Sequence, residues 1–142
     1  MNAPIYTIDI LRLAASLEPP SALARVDGAA ELRSPTCGST IRTSVMLDGD
    51  GRVAALSQDV SACAFGQAAA ALVARGAIGA DHDSIAGALG DLTAWLTGER
   101  DEPGIWPGLD ALFPARSKRG RHGAILLPFR ALVAALTDRP HG

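Results

Sequence analysis

The chemistry open to this sequence rests on Cys37, Cys63 and His122. Cys37 lies in Pro35-Thr36-Cys37-Gly38-Ser39, a turn between two short alternating runs, and Cys63 lies where a third such run gives way to an Ala-rich stretch. A cysteine that opens a helix sits beside unpaired backbone N–H groups and the positive end of the macrodipole. Both favour the thiolate, the form that binds metal or attacks sulfur. On these local grounds Cys63 is the stronger candidate. His122 closes the basic run of Arg116, Lys118, Arg119 and Arg121 and precedes an apolar segment, which places it near the start of the last helix. An imidazole beside two thiolates would fill three corners of a tetrahedral zinc or iron site, or share a cluster.

Each feature also has a plainer reading. A cysteine in apolar surroundings is ordinarily a small buried hydrophobe, and neither cysteine here has a C-x-x-C partner. A run of cations is ordinarily a solvated loop. His82, in Ala80-Asp81-His82-Asp83, reads as exposed polarity around a helix cap. Trp95, at helical spacing from Leu92, reads as core, and Trp106, in a Pro- and Gly-rich connection, reads as a loop anchor.

The elements that must position these residues follow from hydrophobic periodicity. Ile8, Leu11, Leu13 and Ala14 suit an amphipathic helix over residues 6–15, which Pro19 and Pro20 bring to an end. Residues 29–34, 40–47 and 53–60 read as strands. In the second, Ile41, Thr43, Val45 and Leu47 share one face while Arg42, Ser44 and Met46 share the other. The Asp-Gly-Asp-Gly run at residues 48–51 supplies a tight hairpin turn, so an antiparallel meander of three strands is predicted. Residues 64–75 read as a helix stopped at Gly76. A second helix starts near Asp83 or Ser84, carries Ile85, Leu89, Leu92 and Leu96, and ends at Gly98. Residues 99–113 read as an irregular connection with a helical turn near residues 109–112. The basic run follows as a loop, and the last helix spans about residues 128–137.

Composition bounds the functional classes. With 142 residues, 48% of them apolar and 20% charged, residues 1–142 make one domain with material for a real core. A net charge of −2 gives no global field toward nucleic acid or an anionic membrane. The N-terminus has no basic region ahead of an apolar run, and no apolar stretch is long enough to span a bilayer, so a cytoplasmic protein is expected. Two cysteines are too few for a disulfide framework and suit a reducing compartment. There is no Gly-rich phosphate loop, HExxH or GxSxG elbow, so hydrolytic or redox catalysis is not indicated and a non-enzymatic role is expected.

Taken in order, these features resemble the NifU N-terminal, IscU and SufU group of iron–sulfur cluster assembly scaffolds. The resemblance runs from Tyr6 to about Leu136. It is carried by a Tyr-led first helix, Gly28, Pro35-Thr36-Cys37-Gly38, Ser61-Ala62-Cys63-Ala64, Phe113-Pro114-Ala115-Arg116 and Ala124-Ile125-Leu126-Leu127-Pro128. It implies an α+β fold, a three-stranded antiparallel sheet packed with helices on one side, with the family's three cysteines gathered at one exposed end. It also implies a [2Fe–2S] cluster or zinc at that end, a cysteine desulfurase as sulfur donor and apo-proteins as cluster acceptors.

Two departures bear on the metal site. The Asp that usually follows Cys-Gly in the family is Ser39, and the third cysteine is absent. Aligned on the His that precedes it, that cysteine falls on Gly123; aligned on Leu127, Pro128 and Phe129, the register moves by about one residue toward His122. In either register the resemblance leaves His122 as the candidate replacement ligand in that region. The Leu-Pro-Pro-Val-Lys phrase by which IscU-like scaffolds engage their Hsp70 chaperone is missing as well. Three readings follow: a scaffold or carrier holding a cluster or metal ion through Cys37, Cys63 and His122; a zinc-binding sulfur acceptor working with a cysteine desulfurase; and an interaction module that keeps the fold without metal.

Overall fold

In the computed structural model, which describes residues 7–34 and 38–137, the chain opens with helix α1 (Ile8–Ala15) and strands β1 (Gly28–Arg33), β2 (Thr40–Leu47) and β3 (Val53–Ser61). Helices α2 (Ala64–Ala77) and α3 (His82–Leu96), a 3-10 helix (Leu109–Ala115) and helix α4 (Arg119–Thr137) follow. The strands form one antiparallel sheet in the order β1-β2-β3, so the class is α+β, as the alternating runs predict.

The period of two decides which face of the sheet is covered. Ile41, Thr43, Val45 and Leu47 are buried against the helices, whereas Arg42 is exposed between its cross-strand neighbours Glu31 and Asp59. The β2–β3 hairpin closes as its sequence requires. The Asp48 carboxylate accepts from the backbone N–H of Asp50 at 2.9 Å and of Arg52 at 3.0 Å, and Gly51 takes the left-handed conformation, φ 79°.

Helix α2 crosses the core with Ala68, Ala69, Ala70 and Ala71 buried, and these short side chains let α1 and α4 lie close on either side. It does not stop at Gly76. A Cβ there would meet the Trp106 ring at 2.6 Å, so this glycine makes room for an aromatic side chain and does not terminate the helix. Trp106 is the anchor its context suggests: Nε1 donates to Leu72 O at 2.8 Å, and the ring packs edge-on against Phe129 at 5.7 Å. Helix α3 starts at His82, slightly ahead of the predicted position, because Asp81 caps it. The Asp81 carboxylate accepts from Ser84 N at 2.9 Å, and Ser84 Oγ accepts from Asp81 N at 3.1 Å. The Ser84 N–H, and after it the Ser84 hydroxyl, hold the Asp81 carboxyl below its ordinary range.

The largest difference from the sequence reading is α4, which starts at Arg119 and not near Pro128. Lys118 precedes its first turn, and Arg119, Arg121 and His122 belong to it, so only the first part of the basic run is loop. Pro128 is buried inside the helix, where its missing N–H leaves the carbonyl of Ala124 without the usual donor four residues on. That oxygen lies against α2, 3.4 Å from where a Cβ of Gly66 would stand. Among the described residues no helix is long and apolar enough to cross a membrane.

Candidate metal centre

Strand register brings the cysteine-bearing segments to one end of the sheet. Arg33 pairs with Thr40 and Thr40 with Ser61, so the β1–β2 turn lies level with the end of β3. Ser34 N donates to Ser39 O at 2.8 Å, and Gly38 N donates to Ser34 O at 3.1 Å, so the residues flanking the turn are bonded to one another. Cys37, the first predicted ligand, lies within it but outside the described residues. Ser39, which stands where the family has Asp, is 4% exposed.

Cys63 follows two residues after Ser61, as the N-cap of α2, with extended φ −66° and ψ 173°. Its side chain makes no capping hydrogen bond, and its thiol is free and half-buried at the edge of the core. The junction around it is fixed from both sides: Gln67 N donates to Cys63 O at 2.9 Å, and Gln67 Nε2 donates to Ala62 O at 3.0 Å.

Helix α4 brings the third predicted ligand to the same end. A Cβ on Gly28 would collide with the carbonyl of Ala135, while Leu127 and Ala131 pack on Ile41 with Leu32 and Val60 beside them. The helix therefore runs antiparallel to β1, its first turns lying toward the Arg33 end of that strand. Gly66 in the first turn of α2 meets Ala124, so the N-terminal ends of α2 and α4 are in direct contact.

His122 is half-buried on the first turn of α4, where Nε2 lies 3.1 Å from Ala115 O and 2.9 Å from Arg116 O. A carbonyl oxygen can only accept, so Nε2 carries the proton, and in the neutral ring the lone pair sits on Nδ1. Metal-bound histidines characteristically hold their second ring N–H on such an acceptor. The same bonds also clasp the 3-10 helix to the start of α4, a purely structural duty. Nδ1 is thus the one ring atom left to act as a ligand.

Among the described residues the donors at this end are the Cys63 thiol and the His122 imidazole of fixed tautomer, soft and borderline donors that suit zinc or an iron–sulfur cluster and not a hard cation. Among the described residues no group of three or more His, Cys, Asp and Glu side chains gathers around a common point. At the opposite end a depression of about 400 Å³ is lined by Asp50, Asp81, His82 and Asp83. His82 Nδ1 there lies 3.1 Å from Asp83 Oδ1, in the cap-side setting the sequence suggests. What the sequence reading missed is the contact of Gly66 with Ala124 and a groove around Phe113. Neither has a local signal, since both depend on which helices become neighbours.

No protein-family model matches the chain, and none of the curated proteins compared with it is similar in sequence. Solved structures are. The N-terminal part of a nitrogen-fixing NifU-like protein from Brucella abortus is 31% identical, with a TM-score of 0.86 over 94% of this chain and 92% of that one. A proposed iron–sulfur cluster assembly scaffold protein for the SUF system from the thermophile Fervidobacterium islandicum AW-1 is 17% identical and shares the fold. Its TM-score is 0.83 over 93% of this chain and 96% of that one. A hypothetical protein 19% identical has the same fold at a TM-score of 0.70, over 91% of this chain and 94% of that one.

Proposed function

Since the chain belongs to the NifU N-terminal, IscU and SufU family of scaffold proteins, we propose that it is an iron–sulfur cluster assembly scaffold or carrier. Its cargo, a [2Fe–2S] cluster or a zinc ion, is held by Cys37, Cys63 and Nδ1 of His122. One observation supports this reading above others: the β1–β2 turn, the N-cap of α2 and the first turn of α4 converge on one end of the sheet. A cysteine desulfurase supplies sulfur to that end, and apo-proteins take the assembled cluster. A single imidazole in place of a thiolate makes the set less negative and leaves one donor open to protonation, which suits cargo that must leave.

The test is metal analysis with an absorption spectrum on protein purified without oxygen. Wild type is compared with Cys37→Ala, Cys63→Ala, His122→Ala and His122→Gln. Glutamine keeps an N–H for the carbonyls of Ala115 and Arg116 but offers no Nδ1 lone pair, so it separates ligation from the structural clasp. The expected result is bound zinc or a charge-transfer band that all four substitutions diminish. Metal retained by His122→Gln would remove the histidine from the ligand set. A wild type free of metal after reconstitution with iron and sulfide would leave the interaction module.

The free Cys63 thiol supports a second reading, sulfur acceptance. Its thiolate attacks the outer sulfur of the desulfurase persulfide and becomes a persulfide itself, while the desulfurase cysteine leaves as thiolate. Mass spectrometry of Cys63 after incubation with a desulfurase and cysteine distinguishes it: a gain of one sulfur with no metal bound favours acceptance.

A further inference from the structure

Where the C-terminal end of α3 meets the 3-10 helix and the start of α4, a groove of about 480 Å³ is lined by Leu96, Gly98, Phe113, Arg116, Ser117 and Arg119 among others, with no carboxylate in its walls. Phe113 is 67% exposed although its ring centroid lies only 6.5 Å from that of buried Trp95. Arg116 is committed to the fold. Its Nε donates to Trp95 O at 2.9 Å, its Nη2 donates to Arg100 O at 2.6 Å, and its guanidinium carbon stands 5.3 Å from the Trp95 ring centroid. It forms a fixed cationic wall.

Lys118 and Arg119 are exposed and Arg121 is half-buried. The ion pairs among the described residues are Arg25 with Asp27, His82 with Asp83 and Arg100 with Asp91, so none of these three cations has an acidic partner there. Two of them sit on the first turn of α4, which carries no acidic residue. The helix N-terminus is the place where positive charge is least favourable. The chain as a whole is net negative, so this concentration of unneutralised cations is local and its complement must come from outside.

We propose that this groove docks an acidic segment of a partner protein, with carboxylates set against Arg119 and the adjacent Lys118 and one bulky apolar side chain set against Phe113 and Leu96. The cations span little more than a single helical turn, too short a track for a nucleic-acid backbone, and the exposed aromatic ring asks for a side chain. The groove opens on the α4 end that contacts the Cys63-bearing end of α2. For its consequence, though not for binding, the proposal rests on the scaffold reading: the occupant would be held beside the candidate ligands.

The test uses a fluorescein-labelled peptide rich in Asp and Glu with one central Leu, read by fluorescence anisotropy and by amide shifts of the full chain. Binding that weakens about tenfold with Arg119→Glu, about tenfold with Phe113→Ala, and steadily with salt supports the assignment. Ser117→Glu adds a carboxylate to the lining without touching the core, so it must weaken binding too even if Phe113→Ala disturbs packing. Unchanged affinity in Arg119→Glu and Ser117→Glu overturns the proposal. So does equal binding of a Lys-for-Glu control peptide, no binding at millimolar peptide, or a preference for a single-stranded oligonucleotide or phosphatidylserine vesicles. Peptide binding by a wild type that holds no metal after reconstitution with iron and sulfide would show the scaffold reading wrong and the docking surface right.

Discussion

Gly66→Ala sets a methyl group into the junction between β3 and α2, against which Ala124 of α4 also lies. Its Cβ would stand 2.7 Å from Ala62 Cβ and 3.4 Å from both Ala124 Cβ and Ala124 O. Ala62 Cβ is fixed to backbone and cannot rotate away, so α2 must shift. Overpacking of this kind costs about 1–3 kcal/mol, while replacing glycine by alanine in a helix returns about 1 kcal/mol. The net effect is about 0–2 kcal/mol of destabilisation. Gly87→Ala on α3 is the control: a Cβ there meets nothing within 4 Å, so only the propensity gain of about 1 kcal/mol remains. The two variants should separate by about 1–3 kcal/mol, or roughly 3–10 °C in Tm for a chain of this size. Chemical denaturation with parallel thermal scans measures this, and metal content should fall in Gly66→Ala but not in Gly87→Ala. Equal stabilisation by the two substitutions would refute the close approach of Gly66 to Ala62 at the junction that carries Cys63.

Thr43→Val deletes a fully buried hydroxyl that has no hydrogen-bond partner among the described residues, opposite Gln58 across the β2–β3 ladder. Urea unfolding should show a gain of about 1 kcal/mol, and a loss would mean that the hydroxyl is satisfied. The Asp27 carboxyl is held below its ordinary value of 3.8, chiefly by its hydrogen bond from Arg25 and then by the N–H of Leu47. A lowered folded-state value means that its stabilisation is complete above pH ~4 and drains away as pH falls through the folded-state value. Asp27→Asn should therefore flatten the acid limb of the stability profile, and identical limbs would contradict this. Trp106→Phe loses the bond to Leu72 O and part of the ring, costing about 2 kcal/mol. The smaller ring should also relieve much of the penalty of Gly76→Ala, so a double-mutant cycle that shows the two additive would be evidence against their contact.

Local patterns were legible where a single element sets them. The alternation over residues 40–47 gave β2 from Thr40 to Leu47, and the helix opening after Cys63 gave the start of α2. Signals failed where a tertiary neighbour overrules local preference. Gly76 looks like a helix end because the sequence does not reveal that Trp106, thirty residues on, occupies the space above it. Pro128 looks like a first helical residue, yet α4 runs through it, with the carbonyl its missing N–H leaves without the usual donor lying against α2. For the site, the ends of elements at which Cys63 and His122 sit followed from the sequence, as did the family. The tautomer of His122 did not, because the carbonyls of Ala115 and Arg116 that fix it turn inward only once the 3-10 helix has formed.

The row of Glu31, Arg42 and Asp59 across the exposed face of the sheet bears on how the ligand-bearing turn comes to its place. In the native pairing Arg42 stands between two carboxylates. A slip of one residue would turn the apolar face of β2 to water. A two-residue slip keeps the faces correct, and hydrophobic burial does little to oppose it. Sliding β1 that way in one direction sets Arg33 opposite Arg42, two like charges in direct apposition, and in the other direction leaves Arg42 facing Ala29. The charges thus act as a vernier on the hairpin. They discriminate among alignments that the core tolerates, and so set the height at which the β1–β2 turn meets the first residues of α2.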